Sequence, residues 1–182
     1  MAASAERTMR VERFGTEALK RKARAFDEFG QHQFGGGSAT GCQGRTLMKH
    51  VIIVPYFSEP EIDRYLKIAD RLKSFGKQDV DYEFMLAASP RIEPSDRLYQ
   101  GFSTIAPCRH FHCPTKIFGY PQGPTAMFWD CLDHLSQAYD LRGGFGLWLE
   151  SDMVPVKRDW LTRLSAEWSR ADSPLILSLI HI

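Results

Sequence analysis

No run of apolar residues in this chain approaches the length a helix needs to cross a bilayer. No apolar signal core follows the first Met, so export is not indicated. There is no charge excess either: 23 Lys and Arg stand against 22 Asp and Glu, a net charge of +1. Without a cationic excess to neutralise phosphates, nucleic acid is not an expected partner. Cysteine is sparse, at Cys42, Cys108, Cys113 and Cys131. The even number permits disulfides, but without an export signal reduced thiols in a cytoplasmic protein are the expected state. The stretch Gly35-Gly36-Gly37-Ser38 has no strand before it and no Gly-Lys-Ser/Thr after it. It therefore reads as a linker, not a phosphate loop. No internal repeat is visible.

What is present is an ordinary globular composition, 43% hydrophobic and 25% charged, over 182 residues. Residues 1–29 are rich in Arg, Lys, Glu and Ala, with a thin apolar stripe at Val11, Phe14, Ala18, Leu19 and Phe26. Transit peptides avoid acids, and Glu6, Glu12 and Glu17 argue against one. Residues 1–47 are thus expected to form a helical or disordered basic extension with a Gly-rich linker. Residues 48–182 are expected to hold the fold.

Val51-Ile52-Ile53-Val54 is a continuous apolar run, expected as a strand buried on both faces and ended by Pro55. Ser58 and Glu61 have capping-box spacing, and Ile62, Leu66, Ala69 and Leu72 continue at helical spacing to about Phe75. Gly76 stops that helix. Tyr82 to Ala88 predicts a second strand, ended by Ser89-Pro90. Irregular sequence is expected to about Thr104, then a third strand within Ile105–Cys113, interrupted by Pro107. Pro124 suits a helix's first turn, with Phe128, Leu132, Leu135 and Tyr139 as its buried stripe. After Gly143-Gly144, Phe145 to Leu149 predicts another strand. Pro155 leads into a helix carrying Trp160, Leu161, Leu164 and Trp168, and Leu175 to Ile180 predicts a last strand. This alternation predicts an α/β fold: an open, mostly parallel sheet with helices on both faces.

In such a sheet, ligands bind beyond the carboxyl ends of the strands. Two strand ends carry chemistry: Pro55-Tyr56-Phe57-Ser58-Glu59 and Glu150-Ser151-Asp152. In an extended strand Glu150 and Asp152 can share a side. Paired carboxylates repel, and a divalent cation relieves that repulsion; Mg²⁺ commonly takes one or two carboxylates plus substrate phosphates. The plainer reading makes them acids at a strand-to-helix turn, helped by the helix dipole. Position alone favours the plainer one.

From about Lys49 onward the sequence resembles the family 2-like glycosyltransferases of GT-A fold. The opening VIIVPYFSEPE is similar to that family's strand-Pro-x-Tyr/Phe-Asn-Glu segment. Gly119-Tyr120-Pro121-Gln122-Gly123-Pro124 enters a helix much as the family's Gly-rich segment does. FGLWLESDMVPVKRDWL resembles its strand-DXD-Pro-x-x-Trp/Leu segment, with Pro155 and Trp160-Leu161 adding context. The resemblance implies a GT-A nucleotide-sugar-binding domain that transfers sugar from a UDP- or GDP-type donor to a sugar, lipid or protein acceptor. It implies Mn²⁺ or Mg²⁺ on Asp152, with Glu150 secondary. It also implies a nucleotide-sugar site formed by Pro55, Tyr56, Phe57, Glu59, Ser89, Gly123, Glu150, Ser151 and Asp152.

Two positions depart from the family pattern. The first acid is Glu150 instead of Asp, and Ala88-Ser89-Pro90 stands where many members place a base-reading Asp. The residue roles have plainer counterparts: packing for Tyr56 and Phe57, helix-start electrostatics for Glu59, and solvent exposure for Lys116, which could otherwise meet a phosphate. In the family the catalytic base lies beyond the last strand seen here. The tail Leu-Ser-Leu-Ile-His-Ile resembles adapter-derived endings, so a C-terminally incomplete enzyme is expected, in the cytoplasm or at the cytoplasmic membrane face. A nucleotidyltransferase is the second enzyme reading, although Pro55-Tyr56-Phe57-Ser58 is not its Gly-rich, basic loop. A non-catalytic α/β binding or interaction module is the third. Cys108, His110, His112 and Cys113 suggest zinc, and the first three could share one strand face, but such neighbours rarely converge on one tetrahedral ion; strand packing, or a histidine near the acceptor cleft, is the expected role. Packing is likewise expected for Phe128, Trp129, Trp148, Trp160 and Trp168, although Trp129 neighbours the cleft loop.

Overall fold

The computed structural model describes residues 49–139 and 144–170. In chain order these form β1 (Lys49–Tyr56), α1 (Glu59–Phe75), β2 (Asp81–Ala88), α2 (Asp96–Ser103), β3 (Cys108–His112), α3 (Gln122–Ala138), β4 (Gly146–Trp148) and α4 (Trp160–Arg170). Every strand pair is parallel, and the sheet order is β3-β2-β1-β4. The protein is thus an open, parallel α/β sheet flanked by helices.

The apolar run of β1 makes it an inner strand. Val51, Ile52, Ile53 and Val54 are all 2% exposed or less. Side chains alternate along a strand, so the run feeds two cores. Ile52, Val54 and Tyr56, with Phe84, Leu86 and Ala88 of β2, pack against Ile62 and Tyr65 of α1, Leu98 and Phe102 of α2, and Leu161 of α4. Val51 and Ile53, with Met85 and Ala87, pack against Met127, Cys131 and Leu135 of α3. Helices therefore cover both faces. Gly101 lets α2 approach α1, since a Cβ there would stand 3.1 Å from Leu66 Cδ2.

Several boundaries differ from the sequence expectation. Pro55 does not end β1, which continues to Tyr56. Backbone groups of even-numbered β1 residues face β2 (Tyr56 C=O accepts from Ser89 N–H at 2.9 Å), whereas odd-numbered ones face β4. The ladder to β4 has its last bond at Leu149 N–H to Ile53 C=O, 2.9 Å. The proline nitrogen thus falls where that ladder has stopped, and its missing donor disrupts nothing before it. Ser58 is the N-cap of α1 but makes no side-chain cap bond. Glu61 does reach back, accepting from Phe57 N–H at 2.8 Å. Gly76 ends α1 with φ of 78°.

Helix α2 lies in sequence expected to be irregular. Its signal is short: Ser95 accepts from Leu98 N–H at 3.3 Å, and only Leu98 and Phe102 are buried. Strand β3 begins after Pro107 instead of containing it; Pro107 contributes a carbonyl to Phe84 N–H at 2.8 Å, which needs no proline donor. Helix α3 starts at Gln122, keeping Pro124 in its first turn, where no N–H is required. Strand β4 is shorter than Phe145–Leu149, although ladder bonds involve both end residues. Helix α4 begins at Trp160, five residues after Pro155. The expected extension over 1–47, Cys42, Gly143 and the strand Leu175–Ile180 lie outside the described residues. Among the described residues no helix is long and apolar enough to cross a membrane.

Candidate functional site

The chain steps outward from β1 to β2 to β3, then returns to the opposite side of β1 for β4. Strand order thus reverses between β1 and β4, and ligand crevices of open α/β sheets lie at the carboxyl end of such a reversal. The loop after β1 and the acidic segment after β4 meet at that place. Ile53 pairs with Trp148, so continued register would set Pro55 opposite Glu150.

Glu150 and Asp152 do not occupy alternating strand positions. β4 ends at Trp148, and Met153 N–H bonds Glu150 C=O at 3.0 Å, closing a turn over Glu150–Met153. Strand geometry stops there, beside Pro55, which has no N–H for a further ladder bond. Both carboxylates are exposed, and Ser151 is half-buried. One face of α1 braces this turn and the β1 loop together. Tyr65 OH donates to Leu149 C=O at 2.8 Å. Arg64 Nη1 lies 3.4 Å from Ser151 Oγ. Glu61 holds Phe57 N–H. Burial pushes the Tyr65 hydroxyl well above its ordinary range, and the carboxylates of Glu61, Glu150 and Asp152 push the same way. The hydroxyl therefore stays protonated and remains a donor. Burial also raises the Glu61 carboxyl, offset in part by Phe57 N–H and Arg64. None of these three α1 residues was assigned to the site from sequence, except that Glu61 stood out as a cap. Their i, i+3, i+4 spacing was the available signal.

The other expected site residues divide. Phe57 is 53% exposed at the crevice loop. Tyr56 is fully buried; its hydroxyl accepts Ser95 N–H at 2.9 Å, so its ring packs in the core and does not face the loop surface. Pro55 is half-buried. Glu59 is exposed, 3.6 Å from Arg97 on α2. Ser89 is buried at the end of β2, and its Oγ lies 3.4 Å from Arg91 N–H. Gly123 lies on the β3–α3 side of the same edge, its N–H on Gly119 C=O at 2.6 Å. A Cβ there would stand 3.4 Å from Ile117 C=O. Lys116 is exposed. Arg91 lies over Phe118 at 4.0 Å, joining the loops after β2 and β3. Trp129 packs edge-on against Phe128.

The donor set at the turn is hard oxygen, the kind Mg²⁺ and Mn²⁺ take, but it comprises two carboxylates. Among the described residues no group of three or more His, Cys, Asp or Glu could hold an ion. An ion at this turn would need further oxygens from a bound phosphate or water. Elsewhere, His110 stacks on Tyr99 at 5.2 Å, and Cys108 packs on the face covered by α1 and α2. Cys108, Cys113 and Cys131 are free thiols. Two surface depressions, of about 340 and 330 Å³, lie between α1 and α2 and at the amino edge of the sheet, away from the acidic turn.

Fold and edge define an α/β protein whose strand order reverses between β1 and β4, with the Pro55–Glu59 loop and the Glu150–Met153 turn at the carboxyl ends of those strands. Comparison with protein-family models, with curated proteins and with solved structures finds no match to the chain.

Proposed function

We propose that the chain is the nucleotide-sugar-binding part of a metal-assisted glycosyltransferase of the family 2-like GT-A type. The observation that supports this most is the meeting of the Pro55–Glu59 loop with the Glu150–Asp152 turn at the carboxyl edge, where strand order reverses. A nucleoside diphosphate sugar of the UDP or GDP type would lie across that edge. Phe57 offers an exposed ring for the base. Asp152, with Glu150, would hold Mn²⁺ or Mg²⁺ at the diphosphate. Such an ion, when bound, neutralises charge on the departing diphosphate. Arg64 and Ser151 add polar groups beside it. The acceptor is a sugar, lipid or protein. The setting is the cytoplasm or the cytoplasmic face of a membrane.

Calorimetric titration of UDP and GDP, with and without Mn²⁺, tests the proposal. Wild type should bind more tightly with Mn²⁺, and Asp152→Ala should lose that gain by about tenfold or more. Metal-independent binding unchanged in Asp152→Ala would defeat the role of Asp152. Absence of any nucleotide binding would favour a non-catalytic interaction module.

A further inference from the structure

One backbone acceptor, Leu149 C=O, faces Pro55 in the ladder register and takes its hydrogen bond from Tyr65. In the parallel ladder between β1 and β4, Val51 N–H bonds Phe145 C=O and Leu149 N–H bonds Ile53 C=O, both at 2.9 Å. The next rung in that register would run from the nitrogen of residue 55 to Leu149 C=O. Proline has no hydrogen there. Tyr65 OH, reaching from α1, takes the vacant place at 2.8 Å, and its residue is 1% exposed. Immediately beyond this carbonyl the chain leaves the sheet as the Glu150–Met153 turn.

We infer that Tyr65 is a positioning residue: its hydroxyl, standing in for the donor Pro55 lacks, fixes the point from which the Glu150–Asp152 turn is presented. A further backbone rung would draw Glu150 and Ser151 into the sheet as strand residues. A side-chain donor satisfies the same carbonyl while leaving the following residues free to turn outward. Arg64, one residue earlier on α1, meets the turn itself at Ser151 Oγ. Glu61, one helical turn earlier, holds the β1 loop at Phe57 N–H. The same helix face thus holds both the loop after β1 and the turn after β4. The consequence for ligand binding rests on the nucleotide-sugar reading; the mechanical claim does not.

Tyr65→Phe removes the hydroxyl and keeps the ring, so the core stays filled. In the ligand-free protein, amide exchange at Met153, whose N–H bonds Glu150 C=O across the turn, should quicken about tenfold, while Ile52 to Val54 of β1 stay unchanged. With UDP or GDP, the Mn²⁺-dependent gain in affinity should shrink about five- to tenfold, and metal-free affinity should hold. Arg64→Ala should move both readouts the same way, by less, because its contact is long and exposed. Unchanged exchange at Met153 overturns the inference. So does an intact Mn²⁺-dependent gain in Tyr65→Phe, or an equal loss with and without Mn²⁺, which marks general loosening. If wild type itself shows no Mn²⁺-dependent binding, the nucleotide reading fails and the ligand consequence with it. The exchange result then decides the mechanical claim by itself.

Discussion

Replacing Pro55 by Ala should make the hydroxyl of Tyr65 dispensable for stability. In the wild type, Tyr65→Phe removes a buried hydrogen bond and leaves Leu149 C=O without its donor. A net bond of about 1 kcal/mol, plus part of the cost of an unsatisfied carbonyl, gives a loss of about 1–2 kcal/mol. Pro55→Ala supplies an N–H at the register position facing the same carbonyl. Its new bond contributes about 1 kcal/mol, offset by roughly 0.4–1 kcal/mol for the greater freedom of the unfolded chain, so the single substitution should be close to neutral. In the Pro55→Ala background, Tyr65→Phe should then cost only about 0.5 kcal/mol or less, because the backbone donor remains. Urea denaturation of the four proteins, with unchanged slopes, closes the cycle, and a coupling of about 1 kcal/mol is expected. A coupling within about 0.3 kcal/mol of zero would falsify the idea that positions 55 and 65 face one acceptor.

Phe84 is fully buried, 4.7 Å from Phe102 and 5.6 Å from Tyr82 ring to ring. Phe84→Ala should cost about 3–5 kcal/mol in urea unfolding, and a loss under about 1 kcal/mol would contradict its place in the core. Burial lowers His50 below its ordinary 6.5, with Asp81 opposing. The unfolded chain therefore takes the proton first: stability is full above about pH 6.5 and declines as pH falls toward the folded value. The urea midpoint should drop from about pH 7 to about pH 5.5 in wild type and drop less in His50→Phe, where stacking on Phe145 is kept. Burial pushes the Cys108 thiol up to about 12. A hydrogen bond with Cys113, then burial, raises Cys131. Iodoacetamide at about pH 8 should spare Cys108, Cys113 and Cys131 in the native protein and modify them in urea, as read by peptide mass mapping.

Much of the frame was legible because it rests on local pattern. The run at residues 51–54 predicts a strand covered on both sides, and the order of apolar segments predicts a parallel α/β sheet. Helix α1 was legible from Ile62, Leu66, Ala69 and Leu72. Helix α2 was not, because two buried residues in eight give little periodicity, and Ser95 caps it without a charged partner. That the segments at Phe57–Glu59 and Glu150–Asp152 follow strands was legible too. The turn at Glu150 was not, since the alternation argument assumed a strand that continues.

The sequence by itself determined the classes of the elements other than α2, the strand-end positions of Pro55 and Glu150–Asp152, and the lack of charge excess. Only the tertiary structure decided that Tyr56 belongs to the core and Phe57 to the surface. Only it joined Tyr65 to Leu149 across 84 residues of chain. The reason is one of range. Strand and helix periods are written in neighbouring residues, whereas a carbonyl's partner depends on which strand lies beside it. For Leu149 that neighbour is β1, at the one residue there that has no hydrogen to give.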